Sequence, residues 1–176
     1  MIFIFLVILI MVIIVYIINL FLFYSIFGNL FERVCMYFIE RSYVSGFMGS
    51  IFTPIYGVGM LLISYIHDKI KINNKIIKII VEFFIYAICL SLIELIGGVL
   101  IEKIFNKVYW NYDNYKYNIG IYISLETAIM WGIISVLAIY LIHPLFKKLE
   151  KHIPKFITII VSIIFIINLI FALIVK

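Results

Sequence analysis

The chain consists of long apolar runs separated by short polar segments. Residues 2–31 contain no charged side chain. At about 1.5 Å per residue, this run is longer than the roughly 30 Å hydrocarbon layer, and it lacks the basic start and small-residue cleavage site of a signal peptide. Three further runs have the length and composition of membrane spans: 79–101, 119–143 and 157–175. The pattern predicts four full transmembrane helices, the third ending or bending before Pro144.

Residues 43–66 are apolar but interrupted by glycine and proline. The interrupting residues are Gly46, Gly49, Pro54, Gly57 and Gly59. The uninterrupted part, 55–66, is too short to cross a bilayer alone. The segment therefore either crosses once as a broken helix or enters and returns as a re-entrant loop.

The distribution of basic residues favours the re-entrant alternative. Lys and Arg divide 8 to 6 between the two faces if residues 43–66 cross, and 10 to 4 if they return. Irregular backbone at membrane depth needs protein or water around it, so such a segment points to a binding site in transporters. The other interpretation is a tightly packed bend between helices.

Composition excludes an ordinary soluble protein. The 176 residues are 66% hydrophobic and 13% charged, with a mean hydropathy of +1.25, whereas soluble domains are about 45–50% apolar and roughly 25% charged. Disordered chains and nucleic-acid-binding modules are excluded with it. We expect one transmembrane domain over residues 1–176, an all-α polytopic integral membrane helical bundle with four full spans and the broken segment 43–66 as a fifth.

The net charge of +5 comes from lysines between the apolar runs. Such lysine groups mark cytoplasmic loops and predict a multi-pass protein of the cytoplasmic membrane. Cys35 and Cys89 have neither metal-ligand nor disulfide spacing, and we expect no metal and no cofactor. The sequence has no G-x-x-x-x-G-K-[ST], H-E-x-x-H or G-x-S-x-G motif, so it holds no nucleotide in a P-loop and is not a conventional hydrolase.

Glutamates inside the apolar runs are the main candidates for chemistry, because burying a carboxylate in the membrane costs on the order of 2.5–3.5 kcal/mol. Ser91, Glu94, Gly98 and Glu102 share one helix face, and Gly98 permits close approach of a neighbour. Glu94 is either a functional group or a structural one.

Two other glutamates favour structural roles. Glu126 is expected to accept a hydrogen bond from Tyr122, four residues earlier. Glu82 is expected to form an interfacial i,i+4 pair with Lys78.

The segment 102–118 is the only long polar stretch, and it is rich in aromatic residues. Its aromatics include Trp110 and Tyr112. It is either an aromatic belt at the membrane surface or a headgroup- or substrate-facing loop over the Glu94–Glu102 face.

Ordered motifs over about residues 22–144 resemble the small bacterial membrane family described as putative ABC-transporter type IV, the CmpB-like ABC transporter permeases. The motifs, in chain order, are Tyr24-Ser25 with Gly28 and Glu32; Pro54-Ile55-Tyr56-Gly57-Val58-Gly59 after Gly46-Phe47; Glu94, Gly98 and Glu102; Tyr109-Trp110-Asn111-Tyr112 with Asn118; Trp131-Gly132; and Pro144. The chain departs from the family pattern at Asn29, Val44-Ser45 and Asn111, so the resemblance assigns no carboxylate to position 111 and no cation to position 45.

The resemblance implies a transport subunit that works with a separate ATPase, since the chain lacks a P-loop. The expected substrate region lies where residues 46–59 meet the Glu94–Glu102 face and the loop at 109–118. There Glu94 and Glu102 bind a cation or polar headgroup, and Tyr56 and Tyr112 supply hydrogen bonds. The remaining candidate substrate-binding residues are Glu32, Trp110 and Asn118; the candidate hinge or packing residues are Pro54, Gly57, Gly59 and Gly98.

Two alternatives remain open. One is a membrane-embedded enzyme acting on lipid or isoprenoid-linked substrates, with Glu94 or Glu102 as acid or base. The other is a non-catalytic membrane scaffold. The expected partners are the lipid bilayer, the ATPase subunit and, as an open alternative, further copies of the chain in a homo-oligomer; nucleic acid is not expected.

Overall fold

The structure, a computed structural model, describes residues 2–40 and 50–174. Six α-helices, one π-helical turn and a two-stranded hairpin make up this part of the chain. In order they are α1 (Ile2–Glu40), α2 (Pro54–Lys69), α3 (Lys75–Phe105), β1 (Asn118–Ile119), β2 (Ile123–Ser124), α4 (Leu125–Leu137), the π turn (Ala138–Ile142), α5 (His143–Glu150) and α6 (Lys155–Ile174).

The predicted all-α membrane class is confirmed. Within the described residues, three helical stretches are long and apolar enough to cross a membrane: Leu6–Cys35, Lys75–Phe105 and Leu125–Glu150. The helix at Lys155–Phe171 is apolar but shorter. The number of helices that cross the bilayer stays a prediction.

The segment 43–66 is only partly covered by the structure. Its first part, with Gly46 and Gly49, lies outside the described residues. From Pro54 onward the chain forms the 16-residue helix α2, and Gly57 and Gly59 lie inside it. Proline is favoured in the first turn of a helix because its missing N–H needs no partner there. Whether the segment crosses or re-enters stays a prediction.

Helix α3 has a defined cap at each end. The side chain of Asn74 accepts hydrogen bonds from the backbone N–H groups of Ile76 and Ile77. At the other end Asn106 adopts the left-handed conformation (φ 52°) and its N–H donates to the Glu102 carbonyl. Asparagine caps both ends well because its short amide bonds the backbone and tolerates positive φ.

The predicted start of the third span at residue 119 is wrong. Residues 118–124 form an antiparallel hairpin in which Asn118 pairs with Ser124 and Ile119 with Ile123. Gly120 supplies the positive φ (63°) that the turn requires. Helix α4 begins at Leu125, where Ser124 accepts a hydrogen bond from the Thr127 N–H. The turn at Gly120 and the cap at Ser124 therefore decide where the helix begins, although the preceding residues continue its apolar pattern.

Of the two outcomes predicted at Pro144, ending is wrong, because the helix continues beyond this proline to Glu150. Pro144 has no N–H for the carbonyl four residues earlier, and its ring crowds that turn. The chain responds with the π turn, in which the His143 N–H donates to the Ala138 carbonyl five residues back. The wider turn accommodates the proline without ending the span.

The chain divides into two compact units: residues up to Leu61 together with those from Phe146 onward, and Leu62–Leu145. In the first unit, α1 packs on α6. Phe21 and Phe52 both contact Phe165 edge-on, with ring centroids 5.3 Å apart in each case.

A polar contact joins α1 and α6 in the same unit. Asn19 and Thr158 are both buried, and the Thr158 hydroxyl donates to Asn19 Oδ1 at 2.7 Å. The Asn19 amide donates in turn to Glu150 at 3.4 Å.

In the second unit, α3 packs along α4. Gly132 makes this approach possible, because a Cβ there would lie 2.6 Å from the ring of Phe83. Small residues at such contacts let helices pack closely in lipid.

We predict that Thr158→Val destabilises the protein by about 0.6–1.7 kcal/mol, the range of hydrogen bonds between membrane helices. The substitution keeps the volume but leaves the buried Asn19 carbonyl without its donor. Thr158→Ser keeps the hydroxyl and serves as the matched control. Unfolding free energies measured in bilayer discs check this, and equal stability of the two variants would contradict it.

Candidate functional site

Among the described residues, four glutamates each accept a hydrogen bond from a tyrosine hydroxyl. The pairs are Glu32 with Tyr56 (3.1 Å), Glu82 with Tyr140 (2.8 Å), Glu94 with Tyr112 (2.7 Å) and Glu102 with Tyr122 (3.0 Å). A phenol donates to a carboxylate without bringing a second charge. The first pair lies in the first unit and the other three lie in the second.

The face of α3 that begins at Ser91 leads from the protein interior to the helix end. Ser91, Glu94 and Gly98 are buried, whereas Glu102 is exposed. The Ser91 hydroxyl donates to the Ala87 carbonyl of the preceding turn. Glu94 is 5% exposed, so its carboxylate depends on protein donors. We call Glu94, Gly98 and Glu102, with the tyrosines that cover them, the acidic face.

Backbone hydrogen bonds hold the polar loop against the hairpin. The Tyr112 N–H donates to the Ile121 carbonyl at 2.8 Å, and the Leu125 N–H donates to the Tyr117 carbonyl at 2.9 Å. These bonds fix the loop so that the Tyr112 hydroxyl reaches Glu94, 18 residues earlier. The loop thus lies over the acidic face, and its role as an aromatic belt or as a headgroup- or substrate-facing loop stays a prediction.

Tyr122 fills the space that Gly98 leaves open. A Cβ at position 98 would lie 2.5 Å from the Tyr122 ring. The ring is buried, and its hydroxyl donates to Glu102. Trp110 contacts Tyr122 edge-on, with ring centroids 5.9 Å apart. The indole N–H of Trp110 is buried without a hydrogen-bond partner among the described residues.

Asn118 is close in sequence to Tyr122 of the acidic face, and its contact in the hairpin is through the backbone. It lies in β1, half-buried, and pairs with Ser124 through the backbone of the hairpin. Its role in binding stays a prediction.

The candidate residues of the first unit form a separate group. The ring of Tyr56 lies over Gly28, where a Cβ would come within 2.3 Å of it, and its hydroxyl reaches Glu32. Gly57 lies against Phe21 and the Ser25 hydroxyl. Two sequence motifs, 24–32 and 53–57, therefore pack on each other. That this group and the acidic face form one substrate region stays a prediction.

Two further bonds fasten the start of α2 to α1. The Thr53 N–H donates to the Ser25 carbonyl, and the Asn29 side-chain amide donates to the Thr53 hydroxyl, both at 2.9 Å. Pro54 follows directly as the first residue of α2.

The predicted hydrogen bond from Tyr122 to Glu126 is wrong. Tyr122 lies in the hairpin, before α4 begins, and its hydroxyl donates to Glu102. Glu126 lies in the first turn of α4, where a negative charge is favoured by the helix dipole. One of its oxygens is buried without a hydrogen-bond partner among the described residues.

The environment of Glu82 is the largest correction among the candidate residues. Its carboxylate does lie 3.6 Å from Lys78 Nζ, as predicted, but it is completely buried. His67 Nδ1 lies 2.8 Å from one oxygen and Tyr140 donates to the other. His67 and Tyr140 are 15 and 58 residues from Glu82 in the sequence, so local spacing could not predict these contacts. The one available signal was the position of Glu82 in an apolar run, because a buried carboxylate needs more partners than a single lysine.

We predict that Gly98→Ala destabilises the protein by about 1–3 kcal/mol, the usual effect of overpacking, because the new methyl group overlaps the Tyr122 ring. Gly97→Ala, at the half-buried neighbouring position, is the control and gains at most about 1 kcal/mol of helix propensity. Unfolding free energies in bilayer discs measure both. Equal stability of the two variants would show that Tyr122 does not pack on Gly98.

We predict that the alkaline stability limit depends on Tyr122. Burial, and then the hydrogen bond and negative charge of Glu102, raise the pKa of its phenol above the ordinary value of 10.0. The folded state therefore holds this proton more tightly than the unfolded state. Its contribution to stability is complete below pH 10 and is lost as the pH rises through the folded-state pKa.

The phenolate absorbance of wild type minus that of Tyr122→Phe isolates this one tyrosine. Its titration midpoint is expected above the ordinary value of 10.0. A midpoint at or below the ordinary value would contradict the prediction.

Comparison with known proteins identifies a family. The family model described as "Putative ABC-transporter type IV" matches residues 19–176. No curated protein and no solved structure matches the chain. Because the family match runs from the middle of α1 to the last residue, the chain belongs to the putative ABC-transporter type IV family.

Proposed function

We propose that the chain is the membrane-spanning permease subunit of an ABC-type transporter in the bacterial cytoplasmic membrane, working with a separate ATPase. The family match over residues 19–176 is the observation that carries the proposal. The three helices of membrane-spanning length support a multi-pass arrangement. The sequence has no P-loop motif, so ATP hydrolysis belongs to another subunit.

The acidic face supports a substrate region in the second unit. Glu94 is buried and Glu102 exposed, so carboxylates lie at both ends of one path along α3. Their tyrosine donors are neutral, so these hydrogen bonds bring no positive charge to the carboxylates. A cation or the polar headgroup of a lipid is the substrate class that this chemistry attracts.

Aromatic groups beside the carboxylates add to this preference. Tyr112 and Tyr115 contact edge-on at 5.5 Å, and Trp110 contacts Tyr122. Aromatic faces attract cations through their quadrupole. The buried indole N–H of Trp110 offers one further donor for a polar group of the substrate.

The contact between α1 and the start of α2 supports a role in rearrangement. Gly28 and Gly57 let Tyr56, Phe21 and Ser25 approach without side-chain obstruction. Rotation of Tyr56 would break its hydroxyl bond to Glu32. Gly59 and Pro54 complete this proposed hinge and packing group.

We predict that purification of the tagged chain from its native membrane in mild detergent recovers an ATP-hydrolysing subunit in constant proportion. In liposomes of the native lipids, Glu94→Gln is expected to lower the ATPase activity of this complex at least tenfold while the two subunits still purify together. The physical reason is loss of the buried charge that holds the substrate. Repeated recovery without any ATPase would contradict the two-component function.

Glu126→Gln is the control, since it removes a membrane-helix carboxylate outside the acidic face. Turnover of a lipid by the purified chain alone, abolished by Glu94→Gln, would instead establish an enzyme. Loss of the complex itself in Glu94→Gln, with the lipid pool unchanged, would establish a scaffold.

A further inference from the structure

The most elaborate buried polar cluster of the second unit lies around Glu82, away from the acidic face in sequence. Three elements contribute to it: His67 from the last turn of α2, Lys78 and Glu82 from α3, and Tyr140 from the π turn. Glu82 has no exposed side-chain surface, whereas His67 is 24% and Lys78 20% exposed. The carboxylate lies seven residues into α3, about 10 Å along the helix from Lys75.

Both oxygens of Glu82 are engaged. His67 Nδ1 lies 2.8 Å and Lys78 Nζ 3.6 Å from Oε1, and the Tyr140 hydroxyl donates to Oε2 at 2.8 Å. Lys78 also donates to the backbone carbonyl of His67 at 3.2 Å. The rings of His67 and Tyr140 contact edge-on, with centroids 5.4 Å apart. The imidazole is therefore held by Glu82 and by the ring of Tyr140, and Lys78 holds the backbone of the same residue.

Two further titratable groups surround the cluster. Tyr86, one turn beyond Glu82 on α3, is completely buried, and its phenol interacts electrostatically with Glu82, Tyr140 and Asp68. Asp68 follows His67 on α2. Among the described residues, Asp68, Lys78, Tyr86 and Tyr140 are thus titratable side chains around the Glu82–His67 pair.

The charge balance leaves room for one more proton. With a neutral imidazole, Lys78 and Glu82 cancel and the cluster is neutral. In that state Nδ1–H donates to Glu82 and Nε2 is the nitrogen that accepts a proton. Uptake of one proton from water makes an imidazolium paired with the carboxylate and raises the cluster charge by one. Histidine is the side chain whose charge ordinarily changes between about pH 5 and 8.

From this geometry we propose that Glu82 and His67 form a proton-binding site of the membrane domain, and that Tyr140 transmits its occupancy to the π turn. The proton enters through the partly exposed imidazole, because Glu82 itself has no contact with solvent. This inference does not depend on the transport function or on an ATPase.

The π turn is suited to respond. Tyr140 lies four residues before Pro144, which has no N–H to bond the Tyr140 carbonyl. A π turn also holds one residue more than an α turn, so its conversion shifts the following residues by one position, a rotation of about 100°. When His67 becomes cationic it competes for the charge of Glu82, which weakens the Tyr140 bond that steadies this turn.

The proton site is tested by nitrogen NMR of histidine-labelled protein in bilayer discs. We expect one imidazole whose Nδ1 keeps its proton in the hydrogen bond to Glu82 and whose Nε2 gains a proton when the folded protein is acidified. His67→Gln should remove this signal, whereas His152→Gln, at an exposed loop position, should not. Glu82→Gln is expected to weaken proton uptake by His67, because the adjacent opposite charge that favours the cationic imidazole is lost.

A wild-type His67 that takes up no proton while the folded protein is acidified would overturn the proposal, and this result needs no variant. Titration that is unchanged in a folded Glu82→Gln protein would overturn it as well.

Hydrogen exchange of the amides of residues 139–143 tests the transmission step. After correction for intrinsic exchange, the exchange rate of these amides should rise as His67 takes up its proton. Tyr140→Phe keeps the ring but loses the hydroxyl, so exchange there should be fast at every pH while His67 still titrates. Tyr65→Phe, at an exposed position of α2, is the control. Exchange of these amides that does not follow the His67 titration would overturn the role of Tyr140.

Discussion

A carboxylate inside a membrane helix must obtain its hydrogen bonds from protein, because lipid offers none and leaving the group bare costs several kcal/mol. This constraint organises the second unit of the chain. Glu82 and Glu94 are buried in α3, and each is reached by a tyrosine hydroxyl from another segment. The π turn supplies the hydroxyl for Glu82, and the polar loop supplies the hydroxyl for Glu94.

The donors around the two buried glutamates differ in a way that separates their chemistry. Glu94 accepts a hydrogen bond from the neutral phenol of Tyr112. Glu82 has a lysine at 3.6 Å and a histidine at 2.8 Å in addition to Tyr140. Its charge is already balanced within the protein, which suits it to binding a proton rather than a bulky substrate.

Local sequence spacing predicted the parts of the fold and site that depend on helical periodicity. Ser91, Glu94 and Gly98 share a buried face because positions three and four apart coincide on a helix. The run 79–101 predicted α3 for the same reason, although the caps at Asn74 and Asn106 extend the helix beyond it. The aromatic loop could be placed over this face because it follows Glu102 directly.

Partners that come from distant segments could not be predicted in this way. Tyr140 and Glu82 are 58 residues apart, and nothing in the spacing of either run indicates their contact. The hairpin at 118–124 could not be predicted for another reason. Its isoleucines continue the apolar pattern of the following helix, whereas the turn depends on the positive φ of Gly120 and the start of α4 depends on the cap at Ser124. Apolar periodicity reports burial, whereas turns and caps depend on single residues.

Pro144 links the backbone geometry of one helix to the hydrogen bonds of a buried side chain. A proline inside a span removes one backbone hydrogen bond, and this helix absorbs the loss with a π turn rather than by ending. The turn includes Tyr140, the tyrosine whose hydroxyl completes the shell of Glu82. A regular α-helix through the same residues would rotate one side of this turn relative to the other by about 100°. Pro144 and Glu82 are therefore structurally linked. The π turn associated with the proline positions Tyr140, whose hydroxyl donates to the buried glutamate.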